Sequence, residues 1–390
     1  MDAGWRRGDR RQYVSRVRER HREAAGRRRR RRHVPALISI CIPTCGRPQL
    51  LVAAARSALA QTYTDIEIVI CDDSRDDASA RAVADLTADP RVRYSRNERR
   101  FGQSGNINRL FDLARGERLV LLHDDDLLLP DAVETLDKCW RENPGLLACY
   151  GKQQIINHSG TVLEDLTASA DAGCSRTAQL EGVQASKMRA VLSGQFPPDA
   201  FMVSTAAARV TRFPPEARTG AECDLDFRLR LQACGGAFYF VNRYLSQYRI
   251  TDRSVASNAI DVDYGFEMVL ALRLPRELEP DRLRFLQARV PVAVRRYLVF
   301  GKRRKAWALL REPQYWPRGR MSAAQIANSV LFVLPQPLIR LLRALKHEAR
   351  ARLRRSPRAY EWLASARRIV SKLRRTAGGS RHTKVEPGAR

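Results

Sequence analysis

Asp124, Asp125 and Asp126 form an unbroken run of carboxylates directly after the apolar stretch at residues 118–123 (RLVLLH). Asp72-Asp73-Ser74 follows the apolar stretch at residues 66–71 (IEIVIC) in the same way. Carboxylates gathered on one rim repel each other, so a cation or a donor-rich ligand is expected between them. A single Asp suffices to cap a helix start, and three in succession exceed that need. Short acidic side chains on tight strand ends suit a hard divalent cation such as Mg²⁺ or Mn²⁺. The eight cysteines form no C-x-x-C pair and have no histidine cluster beside them, so zinc is not indicated. Glu222 and Asp224, in AECDLDFRLRL, are a third acidic group. They read either as general-base candidates or as first-turn acids favoured by a helix dipole.

The elements that must hold these groups alternate in type. Residues 37–42 (LISICI) read as a buried strand and 49–60 as an Ala/Leu-rich helix. A second strand at 66–71 runs into Asp72. A helix at 77–86, a strand at 92–95, a polar loop at 97–105 and a helix at 106–114 precede the fourth strand, 118–123. Strands alternating with helices imply a parallel sheet with right-handed crossovers, in which ligands bind beyond the carboxyl ends of the strands. Both Asp clusters are therefore expected at one crevice. Further along, a helix at 131–140, strands at 146–150, 201–204 and 237–241, and a helix at 221–234 are expected. Residues 157–195 read as polar and irregular, and the chain beyond about Asp261 as helical and increasingly basic.

At 390 residues and 44% hydrophobic content, the chain can bury a large α/β core. Its net charge of +28 is concentrated at the two ends. Residues 1–33 carry a net +10 and residues 340–390 a net +13, which leaves about +5 for the other 306. Nucleic-acid binding would need basic and aromatic residues interleaved on a folded face, so a nearly neutral core speaks against it. Basic arms suit an anionic membrane surface. No apolar segment follows the N-terminal charges, so no signal peptide is expected. No stretch reaches the roughly 18 apolar residues of a spanning helix. Residues 326–342 contain Pro335, Pro337 and Arg340, and merge into a basic run reaching Arg355. That combination reads as an interfacial segment; with cysteines that read as small buried hydrophobes in a reducing cytosol, a cytoplasmic chain, peripheral to the inner face of the membrane, is expected.

PTCGRPQLL, SALAQTYTDIEIVICDDS, GERLVLLHDDDLLLP, AECDLDFRLRLQACGG and YRITDRS occur in that order. Together they resemble the family-2 glycosyltransferases of the GT-A fold over roughly residues 37–255. The resemblance implies a Rossmann-like, mostly parallel sheet flanked by helices at 35–258. Residues 1–34 would then be an Arg-rich, disordered arm, and 259–390 a helical basic extension. It implies an inverting, metal-assisted transfer from a nucleotide-sugar donor to a glycan or lipid-linked acceptor in polysaccharide or glycolipid biosynthesis. Pro43, Thr44, Asp72, Asp73, Asn108, Asp124 and Asp125 fall where the family contacts the donor. Asp73 would read the base, and Asp124, Asp125 and Asp126 would touch the ribose and hold the metal. Asp224 aligns with the general base when Arg230-Leu231 and Gly235-Gly236 set the register, with Glu222 the neighbouring alternative. Two positions depart from the pattern. Cys45-Gly46 replaces an aromatic followed by Asn, and Thr251 stands where many members have His.

Two other classes compete. A nucleotidyltransferase can share such a core and metal site, but would be expected to show a Gly-rich, basic loop after the first strand. Here that loop is PTCGRP, with one Gly. A basic nucleic-acid-binding protein is the other.

Overall fold

The computed structural model describes residues 36–215, 222–250, 264–312 and 323–354. The arm at 1–34, the position of Thr251 and the basic run from Arg355 lie outside the described residues. The chain divides into two units, Met1–Arg289 and Val290–Arg390.

The first unit opens with β1 (Ile38–Thr44), α1 (Pro48–Leu59), β2 (Ile66–Asp72), α2 (Ala78–Ala82), β3 (Val92–Arg96), α3 (Gly102–Leu113) and β4 (Arg118–Leu121). It continues through β5 (Leu127–Leu128), α4 (Ala132–Glu142), β6 (Leu146–Ile156), α5 (Glu164–Gly173), β7 (Gly182–Val183), α6 (Lys187–Leu192) and β8 (Phe201–Ser204). Then come α7 (Thr205–Thr211), α8 (Cys223–Leu231), β9 (Ala237–Arg249) and α9 (Tyr264–Leu270), and α10 (Glu279–Val299) carries the chain into the second unit. Among the described residues, nine strands form one sheet in the order β3-β2-β1-β4-β8-β6-β9-β5, with β7 also paired to β9. The block β3-β2-β1-β4 is parallel, as the alternation of elements requires. The β8 strand enters antiparallel between β4 and β6, β9 lies parallel to β6, and β5 and β7 run antiparallel to β9.

Side chains alternate across the sheet, so each strand feeds two cores. Ile38, Ile40, Ile42, Ile66, Ile68 and Ile70 join Leu51, Ala54 and Ala58 of α1 and Val133 and Leu136 of α4 in one buried cluster. On the other face the Cys41 thiol lies 3.9 Å from the Leu110 carbonyl of α3. There Phe111, Phe213, Phe227 and Phe201 form a chain of ring contacts 4.5 to 6.2 Å apart. Burial on both faces explains why these strands are continuous apolar runs rather than alternating ones.

Several boundaries differ from the sequence expectation, for physical reasons. α3 begins at Gly102, within the stretch expected to be a loop. Its first amides are held by the distant Asp73 carboxylate, and Gly102 takes φ +72°, which costs a glycine little. Residues 157–195 contain α5, α6 and the short β7 rather than irregular chain alone. β9 runs on to Arg249 because Gln247, Tyr248 and Arg249 pair with the far half of β6.

The second unit contains the end of α10, α11 (Arg303–Arg311), α12 (Ala323–Val333) and α13 (Gln336–Arg354). Gln336 donates to the Leu298 and Val299 carbonyls at 2.9 and 2.8 Å, which satisfies the last turn of α10. Trp307 of α11 stacks on Phe332 of α12 at 5.1 Å. None of the described helices is long and apolar enough to cross a membrane.

Candidate active site

The carboxyl ends of β1, β2, β3 and β4 form one rim, and the antiparallel entry of β8 brings its first residues to the same rim. Leu121 pairs with Phe201, and the Ala200 amide bonds the Leu121 carbonyl at 2.6 Å. This topology gathers His123 through Asp126, Thr44, Asp72-Asp73, Asp199 and Arg249 at one end of the sheet.

Asp124 is buried, and its carboxylate is spoken for by β1 and the loop after it. Thr44 Oγ1 donates to Oδ2 at 2.7 Å, and Arg47 Nη1 reaches Oδ1 at 3.2 Å. The same Arg47 nitrogen donates to Asp125 Oδ2 at 2.8 Å. Burial pushes the Asp124 carboxyl up to about 6; Arg47 opposes the rise and Asp125 adds to it.

Asp126 is 1% exposed. The Arg249 amide donates to Oδ1 at 2.6 Å, while no donor reaches Oδ2 among the described residues. Burial, followed by the charges of Asp199 and Asp125, raises its carboxyl well above the ordinary range. Asp199 is itself fully buried, accepting from Gln153 Nε2 at 3.0 Å and from the His123 amide at 3.2 Å. An orphaned, deeply buried carboxylate oxygen beside a second buried carboxylate is costly unless a cation or a proton lies between them. His123, Asp125 and Asp126 each offer one ligand atom, all within 4.8 Å of one another, and this donor set fits a divalent cation. The sequence pointed to Asp124, Asp125 and Asp126 as ligands; the structure groups Asp125 and Asp126 with His123 and turns Asp124 toward Thr44 and Arg47.

The second acidic pair separates into two duties. Asp72 is fully buried, accepting from the Ser74 amide at 2.8 Å and Tyr94 OH at 2.7 Å. Asp73 accepts from Asn97 Nδ2 at 3.0 Å and from the Phe101 and Gly102 amides at 2.9 Å each. Its own amide donates to the Thr44 carbonyl at 2.9 Å, which ties it to the end of β1 beside Pro43. Asn108 is used elsewhere: it donates to the Phe213 carbonyl at 2.8 Å and accepts from the Phe213 amide at 2.7 Å. The asparagines in the rim are Asn97 and Asn106, joined at 2.9 Å, and Asn106 also donates to the Cys71 carbonyl.

Asp224 lies in the first turn of α8, with Glu222 at the preceding cap position. Asp224 Oδ2 accepts from Arg228 Nη2 at 2.8 Å and remains partly exposed. Glu222 Oε1 accepts from Arg289 at 2.8 Å. Tyr248 lies near the end of β9. Burial raises its phenol first, and then the charges of Asp126, Asp199, Asp125 and Asp224 raise it further. Sequence reasoning missed Arg47, His123, Asp199, Tyr248 and Arg249. Of these, Arg47, His123, Tyr248 and Arg249 lie within the motifs quoted above, and Asp199 lies outside them.

The chain resembles known proteins in sequence and in fold. The sequence model described as Glycosyl transferase family 2 matches residues 39–164. A Campylobacter jejuni GalNAc(5)-diNAcBac-PP-undecaprenol beta-1,3-glucosyltransferase is 33% identical over 132 residues, covering 33% of this chain and 42% of that protein. An Escherichia coli chondroitin synthase is 34% identical over 131 residues, covering 33% of this chain and 19% of that one. The alignments thus span less than half the length of these curated relatives. Among solved structures, Staphylococcus aureus TarS 1–349 superposes with a TM-score of 0.51 at 14% identity, over 79% of this chain and 91% of that one. The Pyrobaculum calidifontis mannosyltransferase PcManGT, in complex with GDP-Man and Mn²⁺, gives 0.50 at 16% identity over 95% and 99%. Such likeness shows a shared GT-A fold, and residues 39–164 match the family 2 glycosyl transferases.

Proposed function

We propose that the chain transfers a sugar from a nucleotide-diphosphate donor to a hydroxyl of a glycan or lipid-linked acceptor, with inversion at the anomeric carbon. The observation that carries this reading is the grouping of His123, Asp125 and Asp126 at the carboxyl ends of the strands, within the stretch that matches the family 2 model. The catalytic domain is taken as 35–258, followed by a helical basic region at 259–390. Asp125 and Asp126 would hold a divalent cation, Mn²⁺ or Mg²⁺, which would neutralise charge on the departing pyrophosphate. Thr44 and Arg47 fix Asp124 on the nucleotide side of the rim, and Asp73 stands where the base is read. Asp224, oriented by Arg228, takes the proton of the acceptor hydroxyl. One displacement from the face opposite the leaving group inverts the configuration, by the logic of single-displacement glycosidases. The names of the relatives, a glucosyltransferase of an undecaprenol-linked glycan and a chondroitin synthase, support a glycan or lipid-linked acceptor. A donor-hydrolysis screen across UDP-, GDP- and dTDP-sugars is the test. Hydrolysis of one class with Mn²⁺, abolished by EDTA, is expected, and no turnover of any class would refute the reading.

We also propose peripheral attachment to an anionic membrane at the cytoplasmic face. Leu338, Leu341, Leu342 and Leu345 of α13 follow i, i+3, i+4, i+7 spacing, and all are exposed. Ile326, Val330 and Val333 of α12 are exposed as well. Arg340 and Arg343 flank the leucine stripe, and apolar contact joined to basic charge is what interfacial binding requires.

A further inference from the structure

The turn after β4 is pinned at three points. The Leu122 amide bonds the Cys41 carbonyl at 3.0 Å, the His123 amide bonds Asp199 Oδ2 at 3.2 Å, and the Asp126 amide closes on the His123 carbonyl at 3.2 Å. His123 Nδ1 lies 3.9 Å from Asp126 Oδ2 and 3.9 Å from Asp199 Oδ2. Those separations are too long for hydrogen bonds. They match the spacing of two atoms bound to one ion, roughly 3–4.4 Å when each sits 2.0–2.2 Å from the metal. Asp126 Oδ2, in a residue 1% exposed, is the orphaned atom, and it faces this imidazole. Asp124 cannot take the place of His123 without giving up Thr44 and Arg47.

We propose that His123 is itself a metal ligand, so that the cation site is a mixed nitrogen–oxygen set of His123 Nδ1, Asp125 and Asp126 that favours Mn²⁺ and Co²⁺ over Mg²⁺ and Ca²⁺. This rests on the reading above that a divalent cation serves the site. All-oxygen sets suit Mg²⁺ and Ca²⁺, whereas imidazole shifts affinity toward the transition metals. Asp199, fixed by Gln153, adds negative charge behind the imidazole and retains any cation held in front of it. Arg47, already on Asp125, is the positive charge beside which that cation must be accommodated.

The test is pulsed electron paramagnetic resonance on the full chain with Mn²⁺ alone. The expected result is nitrogen modulation from a directly bound imidazole, absent in His123→Gln. Displacement of Mn²⁺ by Mg²⁺ is the second measurement. His123→Asp is expected to narrow the preference for Mn²⁺ over Mg²⁺ by about tenfold, the scale on which one ligand or its orienting partner matters. Mn²⁺ bound without nitrogen modulation overturns the role of His123 and leaves the metal reading standing. An unchanged Mn²⁺/Mg²⁺ ratio in His123→Asp likewise overturns it. Failure of the wild-type chain to bind Mn²⁺ overturns both.

Discussion

Arg228 holds Asp224 from one turn further along α8. Its Nη2 donates to Asp224 Oδ2 at 2.8 Å, while its Nη1 donates to the Phe196 carbonyl at 2.5 Å. The carboxylate is thereby fixed against the segment that leads to Asp199 and β8.

On the function proposed above, Asp224 has a proton-accepting duty separable from donor binding. Asp224→Asn is expected to keep nucleotide affinity, measured by calorimetry, and to lose roughly 10²–10⁴-fold in transfer rate. Glu222→Gln is expected to lose less, since its carboxylate is paired with Arg289. Product analysis by NMR should show the inverted anomer. Near-normal transfer by Asp224→Asn would move the base elsewhere, with Glu222 next in line.

Two buried carboxylates carry opposite pH signatures. Burial lifts Asp124 to about 6, so its favourable contribution is full below the usual carboxylate range and lost as pH rises through about 6. Burial also works to raise Glu67, but Ser39 Oγ at 2.6 Å, the Arg115 amide at 2.5 Å and Arg93 at 2.7 Å outweigh it and leave Glu67 lowered. Its contribution is present above the ordinary Glu range and lost as pH falls through the lowered value. Denaturant unfolding in EDTA across pH 4–8 checks both signs. Relative to Asp124→Asn, the wild type should gain stability between pH 7 and pH 5, by up to about 1.4 kcal/mol per pH unit. Glu67→Gln should cost about 1–3 kcal/mol at pH 7, shrinking in acid. Flat difference curves would contradict these assignments.

The leucine stripe of α13 predicts a lipid dependence. The full chain should float with anionic liposomes at low salt and not with zwitterionic ones. A Leu341→Asp/Leu345→Asp variant should float several-fold less while keeping donor hydrolysis, because each buried leucine contributes about 1.5–3 kcal/mol. Undiminished flotation of that variant would reject the surface.

Much of the parallel block was legible because its strands are buried on both faces. LISICI and IEIVIC could scarcely be anything but core strands, and an Asp run after such a strand has one rim to occupy. What escaped depends on contacts between distant parts of the chain. Asp199 sits in PPDA, with nothing local to mark it, until β8 enters antiparallel and carries it to Asp126. The start of α3 depends on Asp73, 29 residues before Gly102. Nothing in the sequence separates Asn108 from Asn106, both polar positions on one helix. Only the placement of Phe213 shows that Asn108 faces the loop after α7. β9 read as ending at Val241 because Asn242, Arg243 and Gln247 break its apolar run.

Asp73 stands at the donor rim and also secures the beginning of α3 through the Phe101 and Gly102 amides. On the proposed reading, in which Asp73 meets the donor base, one side chain would serve both specificity and folding. Any exchange there that altered base preference would also release the helix that carries Asn106, whose amide bonds the Cys71 carbonyl at the end of β2. On that reading, divergence toward a new nucleotide would be closed at residue 73. It has to proceed through its exposed neighbours, Cys45 and Arg100, which touch at 3.2 Å and can vary without undoing the sheet.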